Sequence, residues 1–303
     1  MKSKRNKTLD ISAQEGAEYL RCCMRVDEAV DEIRDVTILG DSFDVMPRLP
    51  RGFAHLMIAD PPYNLRKEFD GGVFAPMDAR EYEEYTERWL CLAKPLLAGD
   101  ASVYVCCDWR CSAAVQRALE RYFIVRNRIT WQREKGRGAV RNWKNAMEDI
   151  WFDTVSREYT FNLDAVRQRR RVIAPYRSNG TPRDWQDTPE GKFRDTCPSN
   201  FWDDITVPYW SMAENTAHPT QKPEKLLAKL IMASSQPGDT VFDPFLGSGS
   251  TSVTAKKLGR HYVGIERSEQ FCVWAEKRLA DAEENKKIQG FADGVFWERN
   301  SGK

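Results

Sequence analysis

Four consecutive residues, Asp60-Pro61-Pro62-Tyr63, have the side chains needed for chemistry on a planar base that carries an amine. They follow the apolar run 53–59, which is typical of a buried parallel strand. Two successive prolines end a strand and stiffen the turn after it, at the sheet edge where open α/β proteins bind ligands. We therefore predict that the carboxylate of Asp60 accepts amine hydrogens while the ring of Tyr63 stacks on the base.

A second candidate site is the string Asp243-Pro244-Phe245-Leu246-Gly247-Ser248-Gly249-Ser250, between a predicted strand and a predicted helix. Its glycines allow a ligand to approach the backbone at a helix N-terminus, although such turns also serve tight packing. Ser252 stands where a dinucleotide-binding fold has its third glycine. Glu266 ends the next predicted strand, where it either accepts ribose hydroxyl protons or caps the following helix. Turn and acid together favour an adenosine-containing ligand.

Strands and helices that alternate along the chain must position these residues. The alternation predicts an α/β fold with a doubly wound, Rossmann-like mixed sheet, in which the segments 123–131 and 148–155 form an antiparallel hairpin. Other predicted strands are 101–107, 240–243 and 261–266, and predicted helices are 78–97, 111–122, 223–235, 251–258 and 268–284.

Periodic patterning stops between Ser156 and Ala217, a proline-rich stretch that we expect to be irregular or a small module of its own. Residues 1–35 contain helical stretches without an obvious role in the core. The polar tail 286–303 is expected to be mobile.

The charge of the chain is unevenly distributed. Net charge is +1, but residues 121–196 contain 17 Lys and Arg against 10 Asp and Glu, interleaved with tryptophans and tyrosines. Cations neutralise phosphates and rings stack on bases, so this segment is suited to nucleic acid. A solvated basic face with its aromatic residues in the core is the equal alternative.

Eight cysteines occur without a CxxC spacing, which favours reduced thiols over zinc ligands or disulfides, and we expect no metal. The sequence has no run of about 18 apolar residues and no apolar segment after its basic start. We expect a soluble, unsecreted, cytoplasmic protein.

Four motifs, taken in order, resemble the β-group of S-adenosylmethionine-dependent amino-methyltransferases of DNA. They are Gly40-Asp41, the string 60–63, His218-Pro219-Thr220-Gln221-Lys222-Pro223 and the string 242–249. In that group the catalytic motif precedes the cofactor motif, a circular permutation of the class I methyltransferase order. The resemblance implies an N-terminal extension (1–35), a catalytic half (36–155), a target-recognition region (156–217), a cofactor-binding half (218–285) and a C-terminal tail (286–303).

The resemblance implies S-adenosylmethionine as the cofactor. Asp41 would contact its adenine, Glu266 its ribose, and Lys222 its methionine carboxylate. The remaining expected cofactor contacts are Asp60, His218, Thr220, Asp243, Phe245, Gly247, Ser248, Gly249 and Ser250. Independently of the cofactor, the 218–223 motif is also typical of a helix start, with Thr220 as the N-cap and Pro223 in the first turn.

Within the family that the motifs resemble, Asp rather than Ser at position 60 favours the N6 amine of adenine, in a base flipped out of duplex DNA, over the N4 amine of cytosine. The alternatives are a cytosine-N4 enzyme and a catalytically silent DNA-binding protein of the same fold. A homodimer and a partner restriction endonuclease are further family expectations. The expected DNA contacts are Arg133, Lys135, Arg137, Arg141, Lys144, Arg169, Arg170, Arg171 and Arg177.

Overall fold

The computed structural model describes residues 5–69, 72–133, 140–173, 176–189 and 191–298. The α-helices in these residues are α1 Ala13–Cys22, α2 Ser42–Val45, α3 Ala79–Ala93, α4 Ser112–Glu120, α5 Glu224–Ser234, α6 Ser250–Lys257 and α7 Glu269–Glu284. Short 3₁₀ turns occupy Met46–Arg48, Lys94–Leu96 and Leu163–Val166.

The first strands along the described chain are β1 Val36–Leu39, β2 Ala54–Ala59, β3 Lys67–Phe69, β4 Gly72–Phe74, β5 Leu97–Cys107, β6 Ile124–Gln132, β7 Met147–Thr154 and β8 Gln168–Arg171. The later strands are β9 Arg177–Ser178, β10 Thr181–Pro182, β11 Gln186–Thr188, β12 Gly191–Thr196, β13 Phe201–Trp202, β14 Thr240–Asp243, β15 His261–Glu266, β16 Phe291–Ala292 and β17 Val295–Trp297.

The main sheet has the strand order β1-β15-β14-β2-β5-β7-β6-β13. The first five strands in this order, β1, β15, β14, β2 and β5, are parallel to one another. Strand β7 runs antiparallel to both of its neighbours, and β13 is parallel to β6. The prediction of a mixed α/β sheet is confirmed, and so is the antiparallel hairpin formed by β6 and β7.

Apolar side chains cover both faces of this sheet, because successive residues of a strand point to opposite sides. Along β5, Val103 and Val105 belong to the core cluster that contains Trp89 of α3 and residues of α4. Tyr104 and Cys106 belong to the opposite cluster, which contains residues of α5. Helices on both faces leave the strand ends as the open part of the sheet.

Parallel pairing brings the predicted site residues to one edge. Leu56 of β2 is paired with Val241 of β14, and β14 is paired in turn with β15. Asp60 follows the carboxyl end of β2, while Asp243 and Glu266 are the last residues of β14 and β15. The three carboxylates therefore lie along the same edge of the sheet.

The segment 156–217 is more regular than its sequence indicated. It contributes β8, β11 and β12 to a second sheet of order β11-β12-β8-β17-β16, and β9 with β10 forms a small hairpin. The expectation of a mobile tail is wrong for residues 291–297, which form two strands of that second sheet. Phe296 is fully buried against Val166 and Ala228, so burial of apolar surface holds the tail in place.

Near the other end of the chain, α1 begins with a capping box between Ser12 and Glu15. This helix packs on α7, where Gly16 lies against Val273. None of the helices in the described residues is long and apolar enough to cross a membrane.

Candidate active site

A cavity of about 260 Å³ opens at the carboxyl ends of β1, β2, β14 and β15. Most of the residues predicted to bind cofactor or to act on the base line it. These are Asp41, Asp60, Pro61, Pro62, Tyr63, His218, Thr220, Lys222, Asp243, Phe245, Gly247, Ser248, Ser250 and Glu266. The two motifs that are far apart in sequence thus face one cavity.

The two carboxylate oxygens of Asp60 have different environments. Oδ2 accepts a hydrogen bond from Nζ of Lys222 at 2.6 Å, whereas the buried Oδ1 has no partner among the described residues. The turn that carries Asp60 is itself fixed, because the hydroxyl of Tyr82 donates to the carbonyl oxygen of Pro62 at 2.9 Å. Asp60 therefore keeps one oxygen free for an external donor.

Tyr63 belongs to the same polar cluster. Its hydroxyl accepts a hydrogen bond from Nζ of Lys222 at 3.0 Å and donates to Oε2 of Glu148 at 3.3 Å. Burial, and secondarily the charge of Asp60, raises the pKa of Tyr63 well above its ordinary value. The phenol consequently stays protonated, and its half-buried ring forms part of the cavity wall.

Glu148 and Arg133 complete this cluster, although neither was predicted to belong to it. Glu148 on β7 is buried and ion-paired with Arg133, and its Oε2 lies 3.5 Å from Nζ of Lys222. Lys222, expected at a methionine carboxylate, here lies between Asp60 and Glu148. The signal for Glu148 was an acidic residue at the start of the predicted strand 148–155, because a carboxylate that a strand buries requires a partner.

The glycine turn after β14 is closed by Glu266. Gly247 has a φ of 57°, and its N–H donates to Oε2 of Glu266 at 2.8 Å, while Oε1 accepts from the N–H of Ser268 at 2.8 Å. A Cβ on Gly247 would lie 3.1 Å from Nε2 of His218, so the turn has little room for a side chain. Burial raises the pKa of Glu266 above its ordinary value.

Asp243, the last residue of β14, stabilises the same turn through hydrogen bonds. Its Oδ1 accepts from the N–H of Phe245 at 2.9 Å, and its Oδ2 accepts from the hydroxyl of Thr251 at 2.6 Å. Burial, with smaller contributions from the charges of Asp60 and Glu266, raises the pKa of Asp243 to about 7. On this wall of the cavity, Asp243 mainly orders the loop.

Gly249 is the one predicted cofactor residue that does not line the cavity among the described residues. Its φ is 82°, and a Cβ there would lie 2.6 Å from Cβ of Ala275 in α7. The structure thus gives Gly249 a packing role between α6 and α7.

Asp41 caps a helix, whereas Thr220, which was predicted to be an N-cap, does not. Asp41 is the N-cap of α2, with Oδ1 accepting from the N–H of Phe43 at 2.8 Å. Thr220 is not the N-cap of α5, because that helix begins at Glu224 with Pro223 in the cap position. The Glu224 N–H is satisfied instead by Oε2 of Glu214, at 2.8 Å.

The cations expected at DNA fall into two groups. Arg133 is paired with Glu148, Arg169 forms a two-pronged pair with Asp195 at 2.8 and 2.7 Å, and Arg170 lies 3.6 Å from Asp203. The exposed group consists of Arg141, Lys144, Arg171 and Arg177. Lys135 and Arg137 lie outside the described residues.

The described residues contain no group of His, Cys, Asp and Glu that could hold a metal ion. The cysteines are free thiols, and Cys106 lies in the cavity wall.

Comparison with known proteins identifies the family. A family model described as DNA methylase, of the N6 and N4 type, matches residues 54–277. The type II methyltransferase M.HpaI of Haemophilus parainfluenzae is 31% identical over 253 residues, covering 82% of this chain and 74% of that protein. The DNA adenine methyltransferase YhdJ of Escherichia coli (strain K12) is 31% identical over 249 residues, covering 80% of this chain and 81% of that protein.

Solved structures share the fold. An M1.HpyAVI–SAM complex has a TM-score of 0.55 at 22% identity, covering 80% of this chain and 98% of that chain. The PvuII DNA methyltransferase, described as cytosine-N4-specific, has a TM-score of 0.58 at 16% identity, covering 84% and 93% of the two chains. The match of the family model over most of the chain, and the relatives at 31% identity, show that this chain belongs to the DNA methylase family.

Proposed function

We propose that this protein transfers a methyl group from S-adenosylmethionine to the N6 amine of adenine in duplex DNA. The observation that carries the proposal is the unpartnered Oδ1 of Asp60, in a carboxylate that lines the same cavity as the glycine turn. Family membership supports methylation of DNA. Asp at position 60, and the adenine specificity named for a relative at 31% identity, favour adenine as the target.

The residues of the cavity fit the proposed cofactor. Gly247 lets the turn pack closely on His218, since a Cβ there would crowd that ring, and both residues line the cavity. Asp41 and Glu266 provide carboxylates for amine and hydroxyl donors, and Phe245 provides an apolar wall. When bound, S-adenosylmethionine supplies a methyl group on a positively charged sulfur.

Asp60 makes the amine reactive. An exocyclic amine of adenine is a poor nucleophile because its lone pair is delocalised into the ring. A hydrogen bond from the amine to Oδ1 of Asp60 favours a pyramidal nitrogen whose lone pair is available for attack. Once the N–C bond has formed and the C–S bond has broken, the nitrogen is acidic and its proton passes to Asp60 or to water.

The contact with Lys222 affects how Asp60 can act on the amine. The Lys222 ammonium lies 2.6 Å from Oδ2 and holds that oxygen by a charge-assisted hydrogen bond, which leaves Oδ1 for the target amine. Asp60 in this setting works chiefly as an acceptor that orients the amine. The proposed function needs no covalent enzyme intermediate, so Cys106 has no chemical role in it.

Tyr63 is proposed to hold the target base. Its ring forms part of the cavity wall beside Asp60, and its hydroxyl is anchored by Lys222 and Glu148. A base within a duplex cannot reach this cavity, so it must be flipped out, and stacking on the ring offsets part of a cost of a few kcal/mol.

The DNA is proposed to lie against the exposed cations Arg141, Lys144, Arg171 and Arg177, which can neutralise phosphates. Trp143 and Tyr176, 94% and 68% exposed, lie next to or near these cations in the chain and present rings to a nucleic acid. The 156–217 segment is the proposed target-recognition region. A homodimer, a cytoplasmic location and a partner restriction endonuclease are further parts of the proposal.

No feature of the described residues of the site favours cytosine N4 over adenine N6 as the target. The PvuII enzyme shares the fold at 16% identity, which carries no information about the base. A catalytically silent protein is disfavoured, because the Asp60 oxygen, the ring of Tyr63 and the glycine turn all meet at one cavity.

Incubation with S-adenosylmethionine labelled in its methyl group, together with a mixed set of duplex DNAs, tests the proposed function. We expect label in DNA from the parent protein and none above background from Asp60→Asn, which keeps the side-chain shape but loses the charge. Asp100→Asn, at an exposed position on β5, is the matched control and should label DNA at the parent rate. Absence of label with the parent across diverse DNA, while the cofactor still binds, would refute the proposal.

A further inference from the structure

Glu148 is a buried carboxylate at the start of β7, with a side chain only 3% exposed. Its Oε1 is ion-paired with Arg133, and its Oε2 accepts the hydroxyl of Tyr63 at 3.3 Å and lies 3.5 Å from Nζ of Lys222. Removing a carboxylate from water costs free energy, and its ion pairs and hydrogen bonds often do no more than offset that cost. A contribution to stability alone therefore does not explain why Glu148 is buried here.

The described residues that line the cavity do not include Glu148. Any effect on a substrate must therefore pass through the side chains it touches. Two of those, Tyr63 and Lys222, do line the cavity, and Lys222 in turn holds Oδ2 of Asp60. Glu148 is thus connected to Asp60, the proposed acceptor of the amine, through Lys222.

The charges of the cluster balance only when Glu148 is ionised. Arg133 and Lys222 contribute two cations, and Asp60 and Glu148 contribute two anions. Without the charge of Glu148, the ammonium of Lys222 would have Asp60 as its sole anion within the cluster and would compete with the amine for that carboxylate. The hydroxyl of Tyr63 would lose a charged acceptor at the same time.

We propose that Glu148 is a positioning residue for methyl transfer. The Glu148 carboxylate attracts the Lys222 ammonium, which is also bonded to Asp60, and accepts a hydrogen bond from the hydroxyl of Tyr63. Oδ1 of Asp60 therefore stays available to the target amine, and the ring of Tyr63 stays in position. This inference rests on the proposed function, because it assigns a role within the same site.

Single-turnover methyl transfer, at saturating S-adenosylmethionine and DNA, provides the test. We expect Glu148→Gln to lower the rate by about 10–100-fold, the usual range for residues that orient a reacting group from behind it. The dissociation constant for S-adenosylmethionine should stay within about threefold of the parent value, because Glu148 lies outside the cavity wall.

Two comparisons separate charge from shape. Glu148→Asp keeps the charge but is shorter, whereas Glu148→Gln keeps the length but is neutral; the proposal predicts that the Asp variant is the faster of the two. Asp149→Asn is the matched control, since Asp149 is the adjacent buried carboxylate on β7 and accepts from the hydroxyl of Thr130 at 3.0 Å. Its rate should stay within about threefold of the parent rate.

A double-mutant cycle with Lys222→Gln asks whether Glu148 acts through Lys222. In that background Glu148→Gln should cost less than about threefold, because the ammonium it restrains is gone. The proposal is overturned if Glu148→Gln matches the parent rate, if it is faster than Glu148→Asp, or if its cost is the same in both backgrounds. Failure of the parent itself to transfer label would instead refute the proposed function.

Discussion

Asp153 on β7 is fully buried, and neither of its side-chain oxygens has a hydrogen-bond partner among the described residues. Burial, with a smaller contribution from the charge of Glu120, raises its pKa to about 8. Asp204 is also buried, but the ammonium groups of Lys229 and Lys225 outweigh the effect of burial and lower its pKa. Partners, rather than depth, decide the charge of each carboxyl group.

Asp153→Asn tests the neutral state of this group. The folded pKa of about 8 lies above the ordinary value of 3.8, so the folded protein binds the extra proton between these values. The free energy of unfolding should therefore fall as pH rises from about 4 to 8, at up to ~1.4 kcal/mol per pH unit. Urea unfolding at pH 5.5 and 8.5 should show the variant gaining roughly 2–3 kcal/mol relative to the parent at the higher pH. A pH-independent difference would contradict the assignment.

The individual site residues differed in how far sequence could predict them. Asp60, Tyr63 and Glu266 stand directly after or at the end of readable strands, so their meeting at one sheet edge followed from parallel pairing. Glu148 meets Tyr63 across 85 residues, and that contact depends on where β7 lies in the strand order. Periodicity does not contain this information, and for the same reason it did not indicate that Arg169 is paired with Asp195.

At the scale of elements, the contact between α6 and α7 depends on Gly249. This residue is the N-cap of α6 in a left-handed conformation, and the backbone of α7 passes close to it at Ala275. A side chain there would meet both strain and a steric clash. Helix α1 also packs on α7, so the position of α7 affects both of these helices.

Gly249→Ala should lower the free energy of unfolding by roughly 2–4 kcal/mol, since a Cβ would lie 2.6 Å from that of Ala275. Gly238→Ala is the matched control, because its φ of 89° is equally unfavourable but nothing lies within 4 Å of the added Cβ. That control should cost only about 1 kcal/mol. Equal losses in urea unfolding would show that the clash is relieved and only the backbone strain matters.

Element boundaries were predictable where a strand or helix is long and strongly patterned. The predicted strands 240–243 and 261–266 coincide with β14 and β15. The α-helical part of the predicted helix 78–97 ends at Ala93, because a 3₁₀ turn that contains Pro95 follows and leads into β5 at Leu97. The strands of the second sheet were missed since they are two to six residues long, and β17 finds its partner β8 from the far end of the chain.

On the scale of the whole molecule, helix α5 joins the two sheets through buried charges. Asp204, in the segment before the helix, lies 2.7 Å from Nζ of Lys225 and 2.9 Å from Nζ of Lys229. Lys225 also donates to the carbonyl oxygen of Trp297 at the end of β17. Burial lowers the pKa of Lys229 to about 8, so this lysine relies on Asp204 to stay charged.

Asp204→Asn should lower the free energy of unfolding by about 3–5 kcal/mol, because it removes the charged partner of the buried Lys229 ammonium. The adjacent Asp203 is half exposed and lies 3.6 Å from Arg170, so Asp203→Asn should cost less than about 1 kcal/mol. Urea unfolding of both variants at neutral pH makes the comparison. Similarly small losses of unfolding free energy in the two variants would mean that Asp204, Lys225 and Lys229 do not hold the second sheet to α5.

The nucleosides of cellular DNA provide the most direct measurement of what the Asp60 carboxylate does. DNA would be isolated from a host without adenine methylation that expresses either the parent protein or Asp60→Asn, and its nucleosides separated by mass spectrometry. We predict N6-methyladenine with the parent and none with the variant, at equal protein levels. Finding only N4-methylcytosine, no methylated base with the parent, or the same N6-methyladenine with Asp60→Asn would contradict adenine methylation through Asp60.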